Sequence, residues 1–427
     1  MSQRGRVFRN FDTIKAHHLF SSVVDHLFIM SSSVNRTNSV RGGVASVPRL
    51  VSVIVPAYNA SATIERTLRT VMGQTYAHLE IIVVDDGSND DTAGIVERLG
   101  REDPRIILLR QPNLGVATAR NLAIAHAYGE FIAPVDSDDI WHPRKIEKQV
   151  SVMEDGDDRI GLVYCYSRHI DEHDVIISHD GQQSDARGDV YALLVLGNFI
   201  GNASSPLIRR GYLQEVGGYD PTLRAQCAQG CEDYAVYLAI AERWEFDLVP
   251  EYLVGYRSAE GSMSRNHKSM ARSWEIVIAD ARNRHPELPV QLFRWARGNY
   301  FRWLGLGCLG RTQIRWGLYY LVIALVYDAH DNVSSWMVRA CIAQLIGPRV
   351  KRLKIARPFY EIRDVFWVKY PQSSVWGTNF LDADPAVNDG GRMRSLETDR
   401  LATLRSIRAG RENLQRETGG ISAQERH

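Results

Sequence analysis

Between residues 51 and 139, short runs of β-branched and apolar residues alternate four times with segments of helical periodicity. A continuous apolar run is typical of a strand that is buried on both faces. Strands that alternate with helices at this spacing form βαβ units, whose strands lie parallel. The sequence therefore predicts an α/β domain with a mostly parallel, Rossmann-like sheet and flanking helices. The predicted strands and helices of this part are, in chain order, residues 51–55, 63–72, 80–84, 92–100, 106–109, 116–128 and 130–135. After residue 141 the pattern is less regular, and it predicts further strands at 160–167, 207–208 and 248–256 and a helix at 233–243.

Acidic clusters directly follow two of these strands. Asp85 and Asp86 come after the second strand, and Asp136-Ser137-Asp138-Asp139 comes after the fourth. Ligands of open α/β sheets bind beyond the carboxyl ends of the strands, so both clusters are expected around one cleft. Asp136 and Asp138 are suited to converge on one hard divalent cation. Turns are rich in aspartate for local reasons as well, and it is the position after a buried strand that favours a metal site.

The first acidic cluster has two compatible interpretations. An ionised carboxylate only accepts hydrogen bonds, so Asp85 or Asp86 suits the base N–H or ribose hydroxyl of a nucleotide. The same residues also suit a turn that caps the next helix, a role that Ser88 or Asp90 would fill equally well.

An acidic pair and an arginine nearer the C-terminus are further candidates for catalysis or ligand binding. Glu232 and Asp233 open a predicted helix, where the helix dipole stabilises negative charge in any case. In the functional interpretation, Asp233 is a general base that takes a proton from an acceptor hydroxyl. One such carboxylate suffices for a group transfer in which the hydroxyl attacks in line and inverts the attacked carbon. Arg257 is either a donor to a diphosphate or an ordinary surface arginine.

Charge and composition limit the classes of partner. The net charge of +1 gives no reason to expect nucleic acid. Residues 262–370 hold 18 Lys and Arg against 7 Asp and Glu, which indicates either a solvated helical surface or contact with anionic lipid or phosphorylated substrates. No segment has the ~18 apolar residues needed to cross a bilayer. Five cysteines without a disulfide or zinc pattern indicate reduced thiols and a cytoplasmic protein.

The chain is predicted to divide into four parts. Residues 1–48 form a polar, weakly ordered leader without the compact apolar region of a signal peptide, and Met30 is a second candidate for the start of translation. The α/β domain spans residues 49–265, a helical region spans 266–381, and a polar, disordered tail spans 382–427. The sequence leaves the oligomeric state open.

An ordered series of motifs over about half the chain resembles the inverting glycosyltransferases of family 2, which have the GT-A fold. The motifs are Val51-Ser52-Val53-Ile54-Val55-Pro56-Ala57-Tyr58-Asn59, Gln74-Thr75-Tyr76, Asp85-Asp86-Gly87-Ser88, Asn113-Leu114-Gly115, Ala119-Arg120-Asn121, Gly129-Glu130, Asp136-Ser137-Asp138-Asp139, Gly217-Gly218-Tyr219-Asp220, Glu232-Asp233 and Tyr256-Arg257.

The resemblance implies roles for the matching positions. In the nucleoside pocket it places Pro56, Tyr58 and Asp86, with Asp85 and Arg120 close by. Asp136 faces the ribose or metal, Asp138 binds Mg²⁺ or Mn²⁺, Asp233 is the catalytic base beside Glu232, and Arg257 is on the donor side. Gly218, Tyr219 and Asp220 border the acceptor site. The expected donor is a uridine- or guanosine-type nucleoside-diphosphate sugar.

The resemblance also implies a biological setting, and the sequence departs from the family pattern at one position. Bacterial proteins of this shape often extend glycans or lipid-linked saccharides at the inner membrane face, which agrees with a peripheral membrane contact of the basic segment. Many members carry a metal-binding His shortly after the Tyr-Arg pair. Here residues 258–262 read Ser-Ala-Glu-Gly-Ser, and only His267 lies further on, so the third protein ligand is open.

Two other functions are compatible with parts of the sequence. A non-catalytic nucleotide-sugar-binding protein would be indicated by loss of the acids, yet Asp136, Asp138 and Asp233 are all present. A sugar nucleotidyltransferase usually has a Gly-rich basic loop after its first strand, whereas Pro56-Ala57-Tyr58-Asn59 occupies that position.

Overall fold

The computed structural model describes residues 49–177, 184–257, 262–329, 380–382, 403–404 and 406–411, so the leader predicted at 1–48 lies outside it. The strands are β1 (Val51–Ala57), β2 (Leu79–Asp85), β3 (Ile106–Arg110), β4 (Phe131–Pro134), β5 (Ile140–Trp141), β6 (Ile160–Ile170), β7 (Leu207–Arg209) and β8 (Glu245–Arg257). The helices are α1 (Ile64–Met72), α2 (Thr92–Glu102), α3 (Val116–His126), α4 (Lys145–Asp155), α5 (Tyr191–Leu196), α6 (Arg210–Glu215), α7 (Thr222–Ala225), α8 (Glu232–Ala241), α9 (His267–Arg284), α10 (Val290–Gly310) and α11 (Ile314–Tyr327).

Within the described residues the eight strands form one sheet in the order β3-β2-β1-β4-β7-β6-β8-β5. The four strands predicted from residues 51–135 are parallel, with β1 between β2 and β4. The other half is mixed, because β7 runs antiparallel to both β4 and β6 while β8 runs parallel to β6. The predicted α/β class with a mostly parallel sheet is confirmed.

Helices cover both faces of the sheet. Alternate residues of β1 point to opposite sides, as in any strand, so Val53 and Val55 pack with α1, α2 and α4. Ile54 packs on the other side with α3 and with helices from the C-terminal half of the domain. Burial on both sides explains why the strand sequences are apolar without alternation.

The register of the parallel strands brings their carboxyl ends together. Ala57 at the end of β1 is paired with Asp85 at the end of β2, and the Asp86 N–H donates to the Ala57 carbonyl at 2.8 Å. Ile54 is paired with Pro134 of β4. Tyr58, Asp86 and Asp136, each just beyond one of these strands, therefore lie at the same edge of the sheet.

Helices α9, α10 and α11 share the apolar core of the sheet and form the described part of the predicted helical region. A 3₁₀ turn, Met263–Arg265, precedes α9 and coincides with the predicted boundary at residue 265. Helices α10 and α11 cross closely at two glycines: a Cβ at Gly317 would lie 2.5 Å from Leu309 Cδ2. None of the helices in the described ranges is both long and apolar enough to cross a membrane.

Part of the segment predicted to be a disordered tail is helical. Residues 403–404 and 406–411 are in helical conformation. The Arg411 Nε donates to Asp189 Oδ2 at 2.9 Å, and its guanidinium lies 4.5 Å from the centre of the Tyr191 ring. These residues are therefore ordered against the start of α5.

Candidate functional site

A cavity of about 730 Å³ opens at the carboxyl edge of β1, β2 and β4. It collects most of the residues that the sequence singles out. The predicted site residues in its lining are Pro56, Tyr58, Asp86, Arg120, Asp136, Asp138, Glu232, Asp233 and Arg257. Asp85, Gly218, Tyr219 and Asp220 are not in the lining.

Asp86 ties the cavity floor to the loop that precedes α3. Its Oδ1 accepts hydrogen bonds from Gln111 Nε2 at 2.7 Å and from the Leu114 N–H at 2.8 Å. Its Oδ2 accepts from the Gly115 N–H at 2.8 Å. By contrast, the neighbouring Asp85 accepts from the Ser88 N–H at 3.1 Å, the local turn that the sequence leaves as its alternative. Asp86 therefore shapes the pocket as well as lining it.

Asp86→Asn is expected to lower the free energy of unfolding by about 1–3 kcal/mol, because its amide would meet a backbone N–H with another donor. The matched variant Asp85→Asn should cost less, since its amide oxygen can still accept from Ser88. Thermal or urea unfolding of the two variants measures the difference. Equal losses would contradict the special role of Asp86.

The turn that carries Asp136 and Asp138 is fixed by residues from distant parts of the chain. Hydroxyls of Thr63 and Thr67 donate to the Ser137 carbonyl at 2.9 and 3.0 Å. The fully buried Asp139 accepts from Ser204 Oγ at 2.5 Å and from the Arg257 N–H at 2.9 Å. Burial first, then the neighbouring acids, raises the pKa of Asp139 well above its usual range.

Arg257 belongs to the same network. Its Nε donates to the Asp138 carbonyl at 2.7 Å, and its two Nη atoms donate to the Asp171 carbonyl and to Asp174. Arg66 Nε reaches the other oxygen of Asp174 at 2.6 Å. In this structure the guanidinium supports the turn at Asp138, and its contact with a diphosphate stays a prediction.

Arg120 connects the acidic groups. Its Nη2 donates to Asp136 Oδ1 at 2.5 Å, and its guanidinium lies 5.0 Å from the centre of the Tyr219 ring. Burial alone would lower the pKa of Arg120, but Asp136, Tyr219 and Asp233 outweigh it and raise the pKa. A buried cation between Asp136 and Asp233 is thus a fixed feature of the cavity.

Asp138 is a carboxylate of the cavity lining whose negative charge is disfavoured by burial and by the nearby Asp136. Burial, together with Asp136, raises its pKa to about 6 although Arg257 acts in the opposite direction. Two carboxylates suit Mg²⁺ or Mn²⁺, since Mg²⁺ is commonly held by one or two carboxylates plus substrate phosphates. Across the described ranges, no group of three or more His, Cys, Asp or Glu side chains is arranged to hold a metal. The donor set fits a cation that takes further ligands from substrate or water.

His267 does not lie with these acids. It opens α9, is buried, and its Nδ1 lies 3.0 Å from the Tyr320 hydroxyl of α11. Burial lowers its pKa. Its position against α11 gives no support to the idea that it replaces the missing third ligand.

Glu232 and Asp233 differ in exposure and hydrogen bonding. Glu232 is buried, and its Oε2 accepts from the Gly230 N–H at 2.8 Å, which closes the loop before α8. Asp233 is half-buried and lines the cavity, and its Oδ1 accepts from the Tyr234 N–H at 2.8 Å. Burial raises the pKa of Asp233 to about 7, with Arg120 opposing the shift and Glu232 and Asp136 adding to it. A carboxylate that titrates near neutrality is suited to take a proton.

The raised pKa of Asp233 predicts a pH profile. A base acts only when ionised, so kcat/KM of a reaction that uses Asp233 as its base should fall tenfold per pH unit below about 7 and level off above it. Initial rates at limiting substrate between pH 5 and 9 give this profile for the free enzyme. An acid limb near pH 4 would mean that an ordinary exposed carboxylate controls the rate.

The predicted acceptor residues form a turn beside the cavity. Gly217 and Gly218 have φ angles of +86° and +71°, a region where glycine is favoured. Asn121 holds the turn: its Oδ1 accepts from the Tyr219 N–H at 2.9 Å, and its Nδ2 donates to the Tyr219 carbonyl at 2.7 Å. Tyr219 is buried against the guanidinium of Arg120 and does not itself line the cavity.

Residues after 262 line the cavity as well, and sequence reasoning did not place them there. We call five of them the aromatic wall: Met263, Met270, Trp274, Tyr300 and Trp303. The Trp-rich helical pattern was visible in the sequence, but nothing in it showed which face meets the cavity.

The model of the family described as "Glycosyl transferase family 2" matches residues 52–215. The match includes the acids after β2 and β4, and ends before Glu232, Asp233 and Arg257.

Two relatives from Escherichia coli are described as UDP-Glc:alpha-D-GlcNAc-diphosphoundecaprenol beta-1,3-glucosyltransferases. WfaP is 40% identical over 130 residues, which are 30% of this chain and 49% of that protein. WfgD is 49% identical over 105 residues, which are 24% of this chain and 41% of that protein. The chain therefore spans about half the length of the curated relatives it matches.

Among solved structures, S. aureus TarS 1-349 in complex with UDP-GlcNAc is similar at a TM-score of 0.44. The two are 15% identical, and the alignment covers 66% of this chain and 91% of that one.

Proposed function

Since the chain carries a glycosyltransferase family 2 domain over residues 52–215, we propose that it is an inverting glycosyltransferase. It moves a sugar from a nucleoside-diphosphate sugar to a hydroxyl of a glycan or lipid-linked saccharide in cell-surface polysaccharide synthesis. One observation carries the proposal: a single cavity holds the acidic turn at Asp136 and Asp138, the cation of Arg120 and the carboxylate of Asp233. We also propose that the catalytic unit extends to residue 265. Asp233 and residues of β8 line the cavity although they lie outside the matched segment.

We propose complementary tasks for the residues around the cavity. Asp233 takes the proton of the attacking hydroxyl, because its raised pKa of about 7 suits proton exchange near neutrality and it lines the cavity. Arg120 holds Asp136 and offsets the negative charge around the base. Glu232 acts through the loop that it closes at Gly230, which makes it a positioning residue. One base is sufficient when the acceptor attacks from the face opposite the leaving diphosphate.

Donor binding is proposed at the sheet edge. Pro56, the half-exposed Tyr58 and Asp86 line the end that would receive the nucleoside. Asp138, with Asp136, would hold Mg²⁺ or Mn²⁺, which as a Lewis acid offsets the charge of a departing diphosphate. Uridine is the expected base and a lipid-linked diphosphate saccharide the expected acceptor, in analogy with WfaP and WfgD.

A peripheral membrane contact is part of the proposal, and α11 is its best-supported surface. Ile314, Leu318, Val322 and Val326 recur every fourth residue, and all four are exposed. Helix α11 contains no Asp or Glu, and the Lys268 Nζ lies 4.8 Å from the centre of the Trp316 ring at its N-terminal end. An apolar helix face with aromatic and basic residues at one end suits the surface of an anionic bilayer.

Vesicle flotation tests the membrane contact. The wild-type protein should float with vesicles that contain phosphatidylglycerol and less with phosphatidylcholine alone. Leu318→Glu with Val322→Glu should abolish flotation, whereas Val290→Glu, an equally exposed valine on α10, should not. Wild-type protein that stays with the soluble fraction in every case would remove the membrane contact from the proposal.

Thermal-shift measurements with UDP, GDP, dTDP and CMP, each with and without Mn²⁺, test the function itself. A ligand that binds only the folded state stabilises it by about 2.7 kcal/mol at one hundred times its dissociation constant. A Mn²⁺-dependent shift with one nucleotide, followed by transfer from the matching sugar nucleotide, supports the proposal. Nucleotide binding without transfer would favour a non-catalytic binding protein, and formation of a sugar nucleotide from a sugar phosphate would favour a nucleotidyltransferase.

A further inference from the structure

The aromatic wall is a continuous apolar surface on one side of the cavity. Trp274 and Tyr300 are stacked with ring centres 4.4 Å apart and planes 9° apart. Trp303, one helical turn after Tyr300, lies 5.5 Å from it at an angle of 45° and is half-buried. Met263 is 47% exposed at the same wall. Trp274 and Tyr300 thus form a buried, stacked base, and Trp303 and Met263 complete the wall in the cavity lining.

The aromatic wall is attached to the loop that presents the proposed base. The Cys231 N–H donates to Ser273 Oγ at 3.1 Å, and Ser269 Oγ donates to the Gln229 carbonyl at 2.8 Å. A Cβ on Gly230 would lie 2.2 Å from Met270 Sδ, so loop and wall are in direct contact. The wall therefore lies directly against the loop that precedes Asp233.

The chemistry of the wall differs from that of the rest of the cavity. Its five side chains carry no charge, while the groups suited to a diphosphate and cation come from the turn at Asp136 and from Arg120. Aromatic rings beside polar groups are typical of pockets in which an apolar face orients the ligand and a few polar atoms select it. An uncharged pyranose ring presents such a face of C–H groups.

We propose that the aromatic wall is the acceptor subsite, and that Trp303 stacks on the uncharged sugar ring that carries the accepting hydroxyl. The inference rests on the proposed function and deepens it. Acceptor recognition was predicted at the turn of residues 218–220. The proposal places it instead on the C-terminal helices, which lie outside the segment that the family model matches. Acceptor choice would then depend on α9 and α10 while the donor site stays with the sheet.

Saturation-transfer NMR tests the subsite with defined probes: the methyl glycosides of glucose, galactose, mannose and N-acetylglucosamine, each with UDP and Mn²⁺ present. At least one should show saturation transfer to its ring C–H protons in the wild type. Trp303→Ala should weaken that binding about threefold to tenfold, as expected for loss of an aromatic contact. Trp303→Phe should retain most of it. Met263→Ala, at an exposed position, repeats the test without disturbing the core.

The control is Trp295→Ala, a half-buried tryptophan of the same helix that does not line the cavity. It should leave glycoside binding unchanged. No saturation transfer in the wild type, or equal transfer in Trp303→Ala and Trp295→Ala, overturns the subsite. Weaker UDP binding in Trp303→Ala, with glycoside binding intact, would instead place the wall in the donor site. Failure of the proposed function is distinguishable, because the melting temperature of the wild type would then not rise with any nucleotide.

Discussion

Asp233→Asn is expected to lower kcat for sugar transfer by about a thousandfold and to leave nucleotide affinity within about twofold. The amide has nearly the same shape, and its oxygen can still accept from the Tyr234 N–H. It cannot take a proton from the acceptor hydroxyl. Loss of turnover with intact binding is what removal of a group that acts only in the transition state produces. Single-turnover rates and UDP titration measure the two quantities.

Glu232→Gln is the matched control for this prediction. Glu232 is the adjacent acid, but its Oε2 is engaged with the Gly230 N–H, a bond that a glutamine oxygen can retain. Its loss of kcat should therefore be much smaller. If Glu232→Gln is the inactive variant and Asp233→Asn keeps near-normal turnover, the two acids have exchanged roles and the base assignment is wrong.

The sheet and its acidic edge could be predicted because both follow from local sequence. Each apolar run of residues 51–135 forms a strand within a few residues of its predicted limits. Because parallel strands all end at one edge of the sheet, the acids after β2 and β4 had to approach each other. Position along the chain was sufficient to place Asp86, Asp136 and Asp138 around one cavity.

Apolar runs at 160–167, 207–208 and 248–256 indicated the strands in the second half of the sheet. The pairing of these strands could not be predicted in the same way, because it depends on distant residues. Strands β6 and β8 pair in parallel with about 85 residues between partners, and their register shifts at Cys165 and Tyr166. Two short elements next to the site, β5 and α4, lie where the apolar pattern becomes irregular. Such elements are fixed by tertiary packing more than by their own periodicity.

The contacts that support the site residues could not be predicted from the sequence either. Arg257 was singled out by the Tyr256-Arg257 motif, but its ion pair with Asp174 spans 83 residues. Likewise, the three donors to Asp86 come from a loop more than twenty residues later. The aromatic wall depends on which face of α9 and α10 packs against the loop before Asp233. A sequence motif identifies the residue types, but the direction of each side chain arises only when the elements pack together.

Asp138→Ala is expected to remove the metal-dependent part of donor binding. Asp138 is the acid of the turn for which the structure describes no side-chain partner, and burial with Asp136 keeps its pKa at about 6. A bound cation would supply the missing positive charge, and the loss of one of two carboxylates should weaken Mn²⁺-dependent nucleotide binding by about a hundredfold. Calorimetric titration of the nucleotide that stabilises the wild type, at several Mn²⁺ concentrations, measures the effect.

Asp139→Asn separates this effect from damage to the turn. Asp139 is fully buried and accepts from Ser204 and Arg257, so its replacement should lower the melting temperature. Its carboxyl is fully buried and does not line the cavity, so it is not placed to bind a cation there. The Mn²⁺ dependence of nucleotide binding should therefore persist in Asp139→Asn and disappear in Asp138→Ala. If Asp138→Ala keeps the wild-type dependence on Mn²⁺, the metal does not bind at this turn, and charge compensation for the diphosphate must come from Arg120 or from another cationic group of the chain.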